Sequence, residues 1–194
     1  MSRPARRNVS RISIASAAAR LMAQDGIEDI EFAKRKAARQ FGATEAYALP
    51  DDAEVEAELR LYLTLYQGDV QPDRLRHLRE AALEMMEWLM PFRPYLTGAA
   101  LDGTASGFSA IDLMLFADSG KDVEIFLLDH NMEFTPEKPR HRQAEALLRL
   151  SLPQADVNLH IFPAHLEYQR FHHRDGRERE RLSREKLRQL LKTG

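Results

Sequence analysis

Residues 96–115 read LTGAALDGTASGFSAIDLML, and this stretch separates two kinds of hydrophobic pattern in the chain. Up to residues 91–94, apolar side chains recur at helical spacing. Within the stretch, Ile111, Leu113 and Leu115 alternate with other residues, as in a strand that is buried on one face. Helices followed by strands predict an α+β fold, in which a helical N-terminal portion precedes a small mixed β-sheet with flanking helices.

Four helices are predicted in the N-terminal portion, because apolar residues repeat there every three to four positions. Asp51 and Glu54 have the spacing of a capping box at the start of the third helix. Pro72 suits the first turn of the fourth helix. The predicted helices cover residues 10–23, 27–41, 51–66 and 72–89, so we expect residues 1–92 to form a helical region.

The sheet is predicted within residues 93–165, and residues 166–194 are expected to form a basic helical tail. Two extended runs joined by a short turn indicate a β-hairpin. In the second run, Asp156, Asn158 and His160 alternate with apolar residues and therefore share one face. The predicted elements are strands over 146–152 and 157–162 and helices over 121–131 and 182–192.

The composition excludes several classes of protein. None of the 194 residues is cysteine, so disulfides, thiolate zinc sites and a cysteine nucleophile are excluded. No apolar run approaches the roughly 20 residues of a membrane-spanning helix. We therefore expect no membrane partner and a cytoplasmic location, while the sequence leaves the oligomeric state open. The seven histidines do not have the spacing of a metal site, although His160 could line a site beside Asn158.

Positive charge is concentrated at the two ends of the chain. Residues 1–24 hold five arginines and no acid, and residues 177–194 hold seven bases against three acids. The first of these biases also occurs in transit peptides, but Ser13 and Ser16 interrupt its apolar stretch and favour an ordinary first helix. The basic faces at 34–39 and 177–188 could bind the phosphates of a nucleic acid, or could be solvated helix surfaces.

The glycines and the aspartate of the opening stretch resemble the signature of the DNA-polymerase-β-like nucleotidyltransferase superfamily. In that family an apolar strand ends in Gly-Ser, a second glycine follows, and Ser-Asp-x-Asp opens another strand. The resemblance implies that the glycine turns admit a nucleoside triphosphate, whose phosphates approach the backbone. The positions that match the nucleotide-binding part of the signature are Gly98, Ala99, Gly103 and Ser109.

The same resemblance implies a reaction in which a nucleoside monophosphate passes from the triphosphate to an acceptor hydroxyl. Two Mg²⁺ ions, held by carboxylates, would stabilise the attacking and leaving oxygens. Asp112 matches the second aspartate of the signature, and Asp156 could supply another ligand. Asn158 stands where the family's third carboxylate is expected. The candidate catalytic residues are therefore Asp112, Asp156 and Asn158, with Asp112 and Asp156 as the candidate metal ligands.

The chain departs from the signature at three positions that carry its chemistry. Ala110 replaces the first aspartate and cannot bind a metal, and Ala99 lacks the hydroxyl of the family's serine. The amide of Asn158 is neither a strong ligand nor a base. Two functions therefore remain open: nucleotidyl transfer with a degenerate metal site, and non-catalytic binding of a nucleotide or nucleic acid by a regulatory protein of the same fold. A coincidental resemblance in a helical scaffold is the third possibility.

Overall fold

The computed structural model describes residues 11–27, 29–42, 49–67, 71–139, 141–172 and 176–193. Within them the chain forms seven α-helices and one six-stranded mixed sheet, which confirms the α+β class. The helices are α1 (Arg11–Asp25), α2 (Ile30–Gln40), α3 (Asp52–Gln67), α4 (Gln71–Trp88), α5 (Ala99–Asp102), α6 (Gly120–Asp129) and α7 (Arg184–Thr193). The strands are β1 (Tyr95–Thr97), β2 (Ile111–Ala117), β3 (Thr135–Glu137), β4 (Ala146–Ser151), β5 (Asp156–Pro163) and β6 (Leu182–Ser183).

One compact unit contains α1, α2 and α3, together with residues 106–108. Its core is built from small side chains, because α1 and α2 both present alanines to each other. The predicted capping box is present at the start of α3: Glu54 N donates to Asp51 Oδ1, and Asp51 N donates to Glu54 Oε2, both at 2.8 Å. The buried side chains of this core include Ile14, Ala15, Ala18, Ala33, Ala37 and Val55.

The other compact unit contains the sheet, whose strand order is β3-β4-β5-β2-β1-β6. β2 and β5 run parallel, and the remaining neighbours are antiparallel. β4 and β5 form the predicted hairpin. A parallel pair needs a crossover connection, and α6 lies in the chain between β2 and β5. This arrangement places β2 and β5 next to each other in the centre of the sheet.

The two faces of the sheet differ in chemistry. Leu113, Leu115, Leu159 and Ile161 belong to the main apolar core, which also includes residues of α4, α6 and α7. The alternate residues of β2 and β5 point to the opposite face. At one end of that face the side chains are polar, and at the other end they are the aromatic residues Phe116 and Phe162. The polar end carries the candidate site.

The compact units divide the chain before α4, whereas the sequence analysis places the boundary after residue 92. The reason is that Ala82 and Met86 of α4 are buried in the same core as the strands. The expected tail is also part of the sheet unit, since β6 pairs with β1 and Leu187 of α7 is buried in the core. No helix in the described residues has the length and apolar character needed to cross a membrane.

Candidate functional site around Asp112

The register of the parallel pair brings the polar residues of β2 and β5 together. Asp112 lies opposite Asn158, and Met114 lies opposite His160. Partners across a pair of strands point to the same face, so the side chains of Asp112, Asn158 and His160 share the polar end of the sheet. The structure therefore brings Asp112 together with Asn158 and His160, which follow it by 46 and 48 positions in the sequence.

Hydrogen bonds join these three side chains. Asn158 Nδ2 donates to Asp112 Oδ1 at 3.0 Å, and His160 Nε2 lies 3.1 Å from the same oxygen. An ionised carboxylate only accepts hydrogen bonds, so this contact is a hydrogen bond when Nε2 of His160 carries the proton. Asn158 is 2% exposed and His160 is also buried, whereas the Asp112 side chain is 27% exposed. The Asp112 carboxylate thus contacts two buried side chains and is also partly exposed to solvent.

Asn158 is unusual because half of its amide has no partner. Its Oδ1 atom is buried and accepts no hydrogen bond from the described part of the chain. A buried polar group without a partner costs about 1–3 kcal/mol of stability. An apolar side chain at this position of β5 would avoid that cost. The cost favours a functional role for the Asp112–Asn158 pair over a purely structural one.

A glycine bend lies directly against the carboxylate. Gly98 follows β1 and adopts φ +70° and ψ −154°, a conformation that residues with a side chain rarely adopt. A Cβ atom on Gly98 would lie 2.7 Å from Asp112 Oδ2, which is closer than real contacts allow. Only glycine fits here, because both its backbone angles and its contact with Asp112 exclude a side chain.

The short helix α5 fixes the backbone beyond this bend. The amides of Leu101 and Asp102 both donate to the Gly98 carbonyl at 2.9 Å. The helix ends at Gly103, which has φ +75°. Arg79 of α4 donates to the carbonyls of Ala100 at 2.9 Å and Leu101 at 3.1 Å. Burial lowers the pKa of Arg79, but these carbonyls satisfy its donors.

The structure places the remaining predicted nucleotide-binding residues around the same loop. Ala99 is the first residue of α5 and is half-buried, and Gly103 ends that helix. Ser109 is half-buried and precedes Ala110, which is itself buried just before β2 begins. The apolar side chain of Ala110 cannot contribute a ligand or a charge beside Asp112.

Asp156 makes its ion pair with a different partner. Arg149 of β4 reaches Asp156 Oδ2 with NH2 at 2.6 Å and with Nε at 3.2 Å. This hydrogen bonding lowers the pKa of Asp156. Arg149 also lies 3.6 Å from Glu137 of β3. The carboxylate of Asp156 is therefore held by Arg149.

Sequence reasoning did not select Arg149, although the hairpin contains the signal that could have found it. In the antiparallel register Arg149 lies opposite Asn158, and Ser151 lies opposite Asp156. Side chains directly or diagonally opposite in a hairpin are neighbours. An arginine two residues from the partner of an aspartate is therefore an expected ion-pair partner.

The aromatic end of the face is covered by the segment that follows β5. Phe171 packs against Phe162, with ring centroids 4.9 Å apart. The guanidinium of Arg181 lies 4.7 Å from the centroid of the Tyr95 ring, and it also stacks over Phe116 and Phe171. These contacts stabilise an apolar cluster with a cation–π component next to the polar site.

The carboxylates near the Gly98 bend suit one Mg²⁺ ion that binds together with a triphosphate, and they do not suit a pair of ions held by the protein. The described residues contain no group of three or more His, Asp or Glu side chains arranged around a metal position. Ala110 has no carboxylate and Asp156 pairs with Arg149, so Asp112 is the candidate ligand that lies at the Gly98 bend. A Mg²⁺ ion that arrives with a triphosphate needs only one or two protein carboxylates, whereas a two-ion set needs more. The residues therefore fit a single nucleotide-borne ion.

Comparison of the chain with models of known protein families and with curated protein sequences gives no match.

Proposed function

We propose that this chain binds a nucleoside triphosphate, with its Mg²⁺, beside Asp112, on a nucleotidyltransferase-like fold. The observation that carries the proposal is the close contact between the Gly98 bend and the Asp112 carboxylate. This contact joins the glycine turn and the second aspartate of the signature, which lie on separate strands. In such a site the half-buried backbone of the bend faces the phosphates, and Asp112 contacts the ion.

We propose binding without nucleotidyl transfer, which is the second of the two functions suggested by the sequence. Transfer by the two-ion route requires a carboxylate at residue 110 and a base near residue 158. Ala110 offers no oxygen, and the Asn158 amide donates to Asp112 rather than accepting a proton. The group of Asp112, Asn158 and His160 is thus suited to bind a nucleotide, for example as a regulatory ligand, and not to activate an acceptor hydroxyl.

Isothermal titration calorimetry tests the binding directly. The four ribonucleoside triphosphates are titrated into the wild-type chain with and without Mg²⁺. We expect one of them to bind with Mg²⁺ and more weakly without it. Asp112→Asn is expected to weaken binding of the Mg²⁺ complex at least about tenfold, or about 1.4 kcal/mol, because the ion loses its protein carboxylate.

Without Mg²⁺, the effect of Asp112→Asn on the affinity for the triphosphate is expected to have the opposite sign. This reversal makes the test specific to the ion. Without Mg²⁺ the Asp112 carboxylate repels the phosphates, so Asp112→Asn is expected to bind the bare triphosphate as well as the wild type or better. Asp129→Asn removes the same charge from the exposed end of α6 and is the matched control. Absence of binding with all four triphosphates, or equal effects of the two variants, would contradict the proposal.

A cytoplasmic location is also proposed. Its support is the absence of cysteine from the whole sequence, which suits a reducing compartment. Imaging of a fluorescently tagged chain in its own cells tests it, and a signal confined to a membrane or to the cell exterior would contradict it.

A further inference from the structure

In the part of the chain that the structure describes, some basic residues of the C-terminal segment and of α2 contact acidic or aromatic side chains of their own unit, and others do not. In the C-terminal segment, Arg181 lies over aromatic rings, Arg184 pairs with Glu185, and Arg188 pairs with Glu87. Arg181 and Arg188 therefore hold the segment on its own unit, and Arg184 is paired with its neighbour in the chain. The basic C-terminal end therefore offers fewer charges to a nucleic acid than its composition suggests.

Helix α2 shows the same division within a single helix. Lys34 is buried and pairs with Asp52 at 2.7 Å and with Glu31. Lys36 pairs with Asp25 at 3.1 Å. Four bases thus occur in α2, and two of them have acidic partners within the same three-helix unit.

The other two bases of α2, Arg35 and Arg39, are exposed. Neither has an acidic partner among the residues that the structure describes. They are four residues apart, so their guanidinium groups emerge on one side of the helix about 6 Å apart along its axis. Phe32 lies one turn before Arg35 on the same side and is 49% exposed. The opposite side of α2 carries the buried alanines of the core.

We propose that this outer face of α2, formed by Phe32, Arg35 and Arg39, binds a single strand of nucleic acid. Guanidinium groups bind phosphates in a bidentate manner, and an exposed aromatic ring stacks on bases that are not paired. RNA and DNA share both features, so the face binds either sugar. A duplex has its bases stacked inside and cannot use Phe32.

The face combines one aromatic ring, Phe32, with two positive charges, Arg35 and Arg39. This combination distinguishes a single-stranded nucleic acid from other polyanions. A purely acidic protein surface would use the arginines and would gain little from Phe32. The proposal does not depend on nucleotide binding at Asp112, because that site belongs to the sheet unit and α2 belongs to the three-helix unit. Failure of one proposal therefore leaves the other unaffected.

Fluorescence anisotropy of labelled 20-nucleotide strands of oligouridylate and oligothymidylate, and of a duplex of equal length, tests this inference. Both single strands are expected to bind the full chain more tightly than the duplex does. Arg35→Glu with Arg39→Glu is expected to weaken binding at least about tenfold. The slope of log affinity against log salt is expected to fall by about 1.4, since each contact with a single-strand phosphate contributes about 0.7. Phe32→Ala is expected to weaken binding at least about fivefold with the salt slope unchanged.

The matched control is Lys121→Glu with Lys192→Glu, which makes the same change of charge at exposed positions of the sheet unit. Circular dichroism establishes that each variant is folded. Equal losses in the two double variants would mean that net charge alone governs binding, and would overturn the proposal. Tighter binding of the duplex, an unaffected Phe32→Ala variant, or no binding of either strand at low salt would also overturn it.

Discussion

Asn158 donates a hydrogen bond from Nδ2 to Oδ1 of Asp112 at 3.0 Å, across the parallel pair β2 and β5. The two residues are direct partners in the strand register, so the contact is a consequence of the sheet rather than of a flexible loop. An amide stands here where the family resemblance requires a carboxylate. The pair is therefore stable without a cation, since a donor faces an acceptor.

Asn158→Asp should convert this pair into a cation-dependent one. The substitution places two carboxylates about 3 Å apart in a largely buried position, where they repel each other. At pH 8 without divalent ions, we expect the free energy of unfolding to fall by on the order of 3 kcal/mol. The deficit should be smaller at pH 5, where one carboxyl is protonated, and smaller at pH 8 with millimolar Mg²⁺, which binds the folded state. Chemical denaturation measures all three.

Asn158→Leu is the control for this prediction. It removes the hydrogen bond to Asp112 without adding a charge, so its change in stability, of either sign, should not respond to Mg²⁺. If Asn158→Asp responded to neither pH nor Mg²⁺, the carboxylates would not be neighbours in solution.

Gly98→Ala should be more destabilising than Gly103→Ala. Gly103 is in the left-handed helical region, where an alanine costs about 1–2 kcal/mol, whereas Gly98, with ψ −154°, is in a region that is essentially restricted to glycine. At Gly98 the new methyl group would also lie 2.7 Å from Asp112 Oδ2, while at Gly103 a Cβ would meet no atom within 4 Å. We expect Gly98→Ala to cost at least about 1 kcal/mol more in denaturant unfolding, because the bend or the carboxylate must move. Equal costs would show that the bend does not press on Asp112.

The helices could be predicted from the sequence because their signals are local. The spacing of Asp51 and Glu54, for example, predicts a cap whose two hydrogen bonds are both observed. β3 and β6 could not be predicted in this way, since three and two residues carry no readable alternation and pair only through the sheet. The alternation in β5 places Asn158 and His160 on one face, but their contact with Asp112 depends on a parallel register that no local pattern encodes.

The ion pairs show the same limit. A run of basic residues in α2 indicates a charged face, but the sequence does not reveal that Lys34 is buried against Asp52 while Arg35 is exposed. That difference is set by which side of α2 faces the core of the three-helix unit. Long-range packing thus decides which charges stabilise the fold and which are available to a partner.

Lys34→Ala should be strongly destabilising, because the buried carboxylate of Asp52 loses the lysine with which it forms an ion pair. Removing one member of a buried pair typically costs about 3–5 kcal/mol, whereas Arg35→Ala on the exposed side should stay within about 0.5 kcal/mol. Burial alone would lower the pKa of Lys34, but hydrogen bonds to Asp52 and Glu31 outweigh it and raise the pKa.

The pH dependence of this pair follows from that direction. A raised pKa in the folded state means that the contribution of Lys34 is fully present below the ordinary lysine pKa of about 10.4 and is lost as the pH rises through the folded value. Unfolding measured between pH 8 and 11 should therefore separate the wild type from Lys34→Met, whose stability lacks this alkaline loss. A similar alkaline loss in both chains would assign it to other groups.

His141 should make the fold less stable in mild acid. Its ring packs edge-on against Phe162 and Phe171, with centroids 5.3 and 5.4 Å away. Burial, and electrostatic interactions with Arg179 and His160, lower the pKa of His141. The folded state therefore binds this proton less readily than the unfolded state does. The contribution of neutral His141 is present above the ordinary histidine pKa of about 6.5 and is lost as the pH falls through the folded value.

His141→Phe keeps the aromatic contacts and removes the titrating group, so it isolates this effect. Between pH 7 and pH 5 the free energy of unfolding should fall more for the wild type than for His141→Phe, when both are measured by chemical denaturation. His165→Phe, at an exposed position outside the Phe162–Phe171 cluster, is the control for replacing a histidine by phenylalanine. The ion pair of Asp156 with Arg149 does not interfere, because a lowered carboxyl pKa acts only below about pH 4. Parallel slopes for wild type and His141→Phe would mean that His141 accepts its proton without disturbing the aromatic cluster.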